Sequence, residues 1–238
     1  IYTAGIAYGG LKGWEFSAEV YWRRLDNVLE TKDGKLALST TENWEDNVAT
    51  GVGRAYGTEV YVQKTSGKVT GICSYTLSKS ERRFPDKAIN NGKWYPFAND
   101  RRHNIRIAAM CKFNDRIDAA ASWVFMSGNY MTVPERETVY VDPEGKFHYH
   151  HYVSGRNNYK LPPTHHLDLS VNFTKHKKKG ERVWTVGLYN AYCAMNPDWT
   201  YVNDIWSRDE AGKVSYSANI TKLSFLTILP SVSYTYRF

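Results

Sequence analysis

The feature that most restricts this chain is a side-chain alternation of period two that runs almost from one end to the other. In residues 14–23, Trp14, Phe16, Ala18, Val20 and Trp22 fall on one side, and Glu15, Ser17, Glu19, Tyr21 and Arg23 on the other. Successive strand side chains point to opposite faces, so this segment is expected to be a strand with one apolar and one polar surface. The pattern returns at residues 167–173, where Leu167, Leu169, Val171 and Phe173 oppose Asp168, Ser170 and Asn172. It returns again at 105–113, where Ile105, Ile107, Ala109, Cys111 and Phe113 share a side. Nine strands are expected, at residues 1–9, 14–24, 54–65, 69–80, 101–113, 116–127, 164–175, 182–192 and 228–238. No segment carries a helical period, so the expected class is all-β and antiparallel.

The connections fall into two kinds. Short stretches rich in turn formers, at 9–13, 66–68, 114–116 and 176–181, alternate with long polar ones at about 27–53, 82–100, 134–163 and 194–228. Long loops without structure of their own are uncommon in compact soluble domains. A strict short–long rhythm puts every turn at one end of an up-and-down sheet and every loop at the other, the layout of an outer-membrane β-barrel. The alternating segments run about ten residues, close to the roughly 9–11 that a tilted strand needs to cross a bilayer. Aromatic residues make up 15% of the chain, with 18 Tyr against 9 Phe, which suits a boundary between hydrocarbon and water. Rings gather at segment ends, at Trp14, Trp22, Tyr56, Phe113, Trp123, Phe125, Trp184, Tyr236 and Phe238, as interfacial girdles do.

The odd count of nine strands sharpens the expectation. An open run of strands in lipid would leave unpaired backbone groups at both edges, at prohibitive cost. The sequence also opens at Ile1 with no leader segment. The expected architecture is therefore the C-terminal portion of a larger transmembrane β-barrel, spanning residues 1–238. Two competitors have different consequences. A complete small outer-membrane barrel acting as a pore or hydrolase requires closure. A soluble glycan-binding β-sandwich requires a core that gathers Trp22, Ile107, Trp123 and Leu169.

Several motifs resemble one family. Gly53-Arg54-Ala55-Tyr56-Gly57-Thr58-Glu59-Val60, a short turn, and then Ser74-Tyr75-Thr76-Leu77-Ser78-Lys79-Ser80 resemble a hairpin of TonB-dependent outer-membrane receptors. The closest likeness is to the large barrels that carry a carboxypeptidase-regulatory-like domain and a plug. Phe97-Ala98-Asn99-Asp100-Arg101-Arg102-His103-Asn104 is similar to that family's "YDRRHN" segment, with Asn99 where Tyr is commoner. His165-His166-Leu167-Asp168-Leu169 is similar to its "HRLDL" strand, with His166 in place of Arg. Tyr189-Asn190-Ala191-Tyr192, Asn196-Pro197 and the closing run from Leu229 to Phe238 complete the likeness, which covers essentially the whole chain.

The resemblance implies a 22-stranded barrel in the outer membrane of a Gram-negative bacterium. It implies energy-coupled uptake of a scarce solute, such as an iron chelate, glycan or peptide. The implied partners are outer-membrane lipid, the barrel-assembly machinery, the extracellular solute and the TonB complex, with room for a surface lipoprotein. TonB would be reached through a plug and TonB box that this chain does not contain. Tyr234, Tyr236 and Phe238 resemble the C-terminal signal read by the assembly machinery.

Other chemistry finds little footing. His148 and His150 share a strand face and are the weak metal candidates, with Asp142 and Glu144 the nearby carboxylates. No Gly-x-Ser-x-Gly or nucleotide fingerprint occurs, so neither an enzyme nor a cofactor is expected. Cys73, Cys111 and Cys193 are odd in number and far apart, which supports neither a disulfide framework nor a cysteine zinc site. The net charge of +7 is spread out apart from His176-Lys177-Lys178-Lys179, and nucleic acid is not an expected partner. Glu15, Glu19, Glu59, Arg106 and Asp118 lie on the polar face, where pairing with one another or with a plug is expected over solute contact.

Overall fold

Alternation becomes a single long meander in the computed structural model, which describes residues 1–35, 43–178, 180–208 and 214–238. Its strands, in chain order, are β1 (Tyr2–Tyr8), β2 (Trp14–Thr31), β3 (Val48–Lys64), β4 (Val69–Arg83), β5 (Tyr95–Pro96), β6 (His103–Lys112), β7 (Ile117–Met126) and β8 (Tyr130–Met131). They continue with β9 (Arg136–Val141), β10 (Phe147–Tyr152), β11 (Tyr159–Lys160), β12 (Thr164–Lys177), β13 (Gly180–Tyr189), β14 (Trp199–Arg208), β15 (Val214–Leu223) and β16 (Leu229–Arg237). The main sheet runs β1-β2-β3-β4-β6-β7-β12-β13-β16, every neighbour antiparallel, with β5 attached to β4. These nine are the nine strands expected from the sequence. Among the described residues β1 and β16 pair with no further strand, so the sheet is open.

The register makes the two faces continuous. Residues directly opposite in an antiparallel pair share a face. Phe16 lies opposite Tyr8 and Val62, and Val62 opposite Cys73. Cys73 meets Ile107, Ile107 meets Trp123, and Trp123 meets Leu167. The apolar face ends across Trp184 and Tyr234. On the other side Ser17, Tyr61, Ser74, Arg106, Asn172, Thr185 and Ser233 form the polar face by the same bookkeeping.

No second layer of the described residues covers the apolar face. Val60 is 44% exposed, Ile107 41%, Leu169 41% and Val186 48%. Trp22, Ile107, Trp123 and Leu169 therefore share no core, as the sandwich alternative requires. A soluble domain would bury such a face, because removing apolar surface from water is the dominant favourable contribution to folding.

What core there is lies at the loop end. Phe84 and Ile89 are wholly buried, Ala49 and Tyr95 nearly so, and Val28 and Ala88 pack against them. A β-bulge brings this about: the β2–β3 register jumps between Leu25 and Val28, with Asn27 at φ 56°. One extra residue reverses which side each later residue faces. Trp22 and Arg24 stand on the apolar side, whereas Val28 and Glu30 turn to the polar side, where the loops fold over them.

The structure differs from the sequence reading in two ways. The long connections are not structureless: β9 pairs with β10, β14 with β15, and β8 with β11. In addition β2, β3 and β4 extend at their loop ends beyond the residues 14–24, 54–65 and 69–80 expected, because the bulge and the small core give the extra length something to pack on. The turns at 9–13, 66–68 and 114–116 fall where expected, while β12 and β13 extend to Lys177 and Gly180, into the 176–181 expected of the fourth. Gly13, at φ 77°, sits so close to the Ser66 hydroxyl that a Cβ would collide with it.

Candidate functional site at the loop end

Three of the motifs, at 97–104, 165–169 and 189–197, lie where strands enter the loops, beside a cluster that the motifs do not include. A clamp forms on the polar side around Glu30, which the bulge has delivered there. The Tyr95 hydroxyl donates a short hydrogen bond to the Glu30 carboxylate. Arg82 and Arg156 approach the same carboxylate at 3.6 and 3.9 Å. Arg156 also reaches Asp33 at 3.3 Å, and Asp33 accepts from the Asn90 backbone N–H at 2.7 Å. The Arg156 backbone N–H in turn donates to Asn90 Oδ1 at 2.9 Å. Asp33 just beyond β2, Asn90 and Tyr95 between β4 and β6, and Arg156 between β7 and β12 are thereby tied to the end of β2. Burial, and then the bond to Glu30, raise the Tyr95 phenol above its ordinary range.

Phe97 to Asn104 has a fastening role. Asp100 Oδ1 accepts from the Ser80 N–H at 2.8 Å, and Arg101 O accepts from the Ser78 hydroxyl at 3.2 Å. Arg101 Nη1 donates to Thr164 Oγ1 at 3.2 Å, which joins the start of β6 to the start of β12. The Arg82 guanidinium stacks over the Phe97 ring, 3.8 Å from its centre. Burial raises the Asp100 carboxyl, against the Ser80 N–H and Arg102, which favour its ionised form.

Asn190 is wholly buried at the end of β13, at φ 51°. Its Nδ2 donates to Ala194 O at 2.9 Å, and its Oδ1 accepts from the Ala194 N–H at 2.8 Å. Its own N–H donates to Asp168 Oδ1 at 3.0 Å. Next to it, Asn196 Oδ1 accepts from the His165 N–H and Asn196 Nδ2 donates to His165 O. The Tyr192 hydroxyl lies 2.9 Å from His165 Nδ1 and accepts from Trp123 Nε1 at 3.0 Å. His165 and His166 are thus structural, His166 standing 3.5 Å from Asp168 on the polar face.

His148 is engaged by a carboxylate, with its Nε2 2.6 Å from Asp142 Oδ2 and its ring stacked 4.9 Å from that of Tyr140. The same Asp142 caps the β9–β10 turn by accepting from the Lys146 N–H at 2.7 Å. The side chain of His150 lies outside the described residues. Among the described residues no three His, Cys, Asp or Glu side chains gather as a metal site.

On the polar face Asp118 accepts from Asn172 Nδ2 at 2.7 Å, and Asn172 Oδ1 accepts from the Thr185 hydroxyl at 2.7 Å. Glu19 stands directly opposite Glu59. Glu15, Glu19, Glu59 and Arg106 make no ion pairs with one another among the described residues, so the mutual pairing expected from sequence is not what this face contains. At the last strand, Tyr234 packs against Trp184 with ring centres 4.9 Å apart, Tyr236 against Phe238 at 5.2 Å, and Phe238 is fully exposed.

The sequence signals for this site were partial. The motifs at 97–104, 165–169 and 189–197 mark strand ends, but neither the Glu30 clamp nor the bonds of the buried asparagines can be read from alternation. The available hint was asparagine itself, which tolerates the left-handed backbone found at Asn90, Asn157 and Asn190. Compared with protein-family models the sequence matches none, and no curated protein matches it.

Proposed function

We propose that this chain is a section of the wall of an outer-membrane β-barrel, and that the barrel is a TonB-dependent receptor that takes up a scarce solute. The observation that carries the wall reading is the unbroken apolar face, exposed across nine antiparallel strands with rings toward both ends. Trp14 and Trp22 stand eight residues apart on that face of β2. At ~3.4 Å per residue and a tilt of ~40° they span about 21 Å across a bilayer, near the ~25 Å apolar band of such barrels. Hydrocarbon satisfies this face and demands that backbone groups be paired within the sheet, as they are along the meander.

The receptor part of the reading rests on the resemblance of the motifs: 97–104, 165–169 and 189–197 lie where loops are fastened, 53–60 and 74–80 within β3 and β4, and 229–238 along β16. A barrel of this kind works without covalent chemistry: loops and plug bind the solute, and energy drawn from the inner membrane displaces the plug. The clamp around Glu30 supports that use, since it holds residues of three connections together over the polar face. The test is fractionation of the full-length gene product, followed by uptake in cells with and without an energised inner membrane. Recovery in the outer membrane with energy-dependent uptake is expected; recovery as a soluble cytoplasmic protein rejects the proposal.

A further inference from the structure

The fold gathers basic residues that the sequence scatters. Each of the four tight turns carries Lys or Arg, with Lys12 in the first, Lys68 in the second, Arg116 in the third and Lys178 in the fourth. Strand register then sorts the neighbouring cations by face. Lys112 and Arg237 belong to the polar face, opposite Asp118 and Glu181, and each has a carboxylate: Lys112 meets Asp115 at 3.1 Å and Arg237 meets Glu181 at 2.9 Å. Lys64, Lys175, Lys177 and Arg182 belong to the apolar face. Lys64 is opposite Trp14, and Arg182 is opposite Lys175 and Tyr236. None of these four has a carboxylate partner among the described residues. Instead Lys64 lies over the Trp14 ring at 5.7 Å and Arg182 over the Tyr236 ring at 5.9 Å.

Resting on the wall reading, we infer that these four cations and their ring neighbours form a belt for anionic phospholipid headgroups in the leaflet at the turn end. Long basic side chains on an apolar face lay their stems along it and hold their charge at the headgroup level. An aromatic ring beside Lys64 and another beside Arg182 place these two at that depth, with Lys175 directly opposite Arg182. Basic groups at a membrane surface attract anionic lipid, and among the described residues no acid competes for them. The unequal pairing on the two faces is what assigns the partner. Among the described strand residues at the turn end, the inward cations Lys112 and Arg237 meet carboxylates of the chain, and the four outward ones are left for something that only the lipid side supplies. An acidic polymer below the membrane would draw on both faces alike.

The experiment uses the full-length protein in vesicles of phosphatidylcholine alone or with one quarter phosphatidylglycerol. Bound lipid is counted by native mass spectrometry. Three proteins are compared: wild type, the outward variant (K64Q, K175Q, K177Q and R182Q) and the inward variant (K112Q and R237Q). Wild type is expected to retain phosphatidylglycerol preferentially, by about fivefold per outward cation, and less so as salt rises. The outward variant loses that preference and the inward variant keeps it. Equal loss in both variants, or no preference in wild type that has inserted into both vesicles, overturns the belt while leaving the wall reading intact. Failure of wild type to float with either vesicle overturns both.

Discussion

Asn190 offers the sharpest test of how the loop end is held. Its side chain makes two close bonds to Ala194, at 2.9 and 2.8 Å, and a longer one to Leu226 O at 3.4 Å. Replacement by alanine removes all three and strands the Ala194 N–H in a site from which water is excluded, while Ala194 O keeps the Asn196 N–H at 3.0 Å. With ~1 kcal/mol net for each of the two close bonds and ~1 kcal/mol or more for the one group left unsatisfied, the loop opening should become easier by about 3 kcal/mol. The left-handed backbone adds to the cost for alanine, by about 1 kcal/mol, but not for glycine. Asn190→Asp puts a carboxylate oxygen against the Ala194 and Leu226 carbonyls in a buried site, so it should open the loop at least as readily as alanine. The assay is hydrogen exchange by mass spectrometry on residues 190–198 of the full-length protein. Easier opening of that size accelerates exchange on the order of 10²-fold in Asn190→Gly and, with the backbone cost added, on the order of 10³-fold in Asn190→Ala. Strand β13 itself should hardly change. Exchange within about threefold of wild type, or equal rates in the alanine and glycine variants, would refute the reasoning.

Three further outcomes follow from the same structure. The Tyr95 phenol is held above its unfolded value, so its contribution is fully present below about pH 10 and is lost as pH rises through the folded value. Tyr95→Phe should therefore weaken the loop end at pH 8 but remove its alkaline transition, as seen by exchange across pH 8–11; an unchanged transition contradicts the assignment. Asp100 is also raised, by burial, so its ionisation opposes folding and its favourable contribution lies below about pH 3.9. Asp100→Asn, which keeps an acceptor for the Ser80 N–H, should match or exceed wild-type thermal stability at pH 7, and a clear loss would count against it. Finally, Ala18→Arg puts a charge on the apolar face beside Ile6 and Val60, at a cost of ~2–4 kcal/mol near a bilayer midplane. Ser17→Arg on the polar face should change urea unfolding in bilayers by less than ~0.5 kcal/mol.

The nine-strand meander was legible because one physical demand, an apolar face kept intact through every strand, writes itself into each strand separately. The loop end obeys no such rule. Phe84, Ile89 and Tyr95 form a core with Ala49 without any shared period, and the hydrogen bond from Tyr95 to Glu30 crosses 65 residues of sequence. A bulge at Asn27 also reverses the sides of Val28 and Glu30, which no alternation count carried through it could detect. The β9–β10 hairpin did leave a trace. Thr138, Val139, Tyr140 and Val141 are good strand formers, and Asp142-Pro143-Glu144-Gly145 is turn chemistry; the density of charge around them masked both. Among the candidate residues, Tyr234 and Tyr236 stand on the face expected of them, whereas the partner that engages His148 is Asp142.

The central claim is that hydrocarbon solvates the apolar face. Spin labels placed singly at residues 104–112 of β6, in the full-length protein in bilayers with the native cysteines replaced, report it residue by residue. The account predicts alternation. Positions 105, 107, 109 and 111 should be accessible to oxygen and shielded from a water-soluble nickel reagent, and even positions should show the reverse or contact with protein. Odd positions shielded from both reagents would mean that protein covers this face, and would contradict the account.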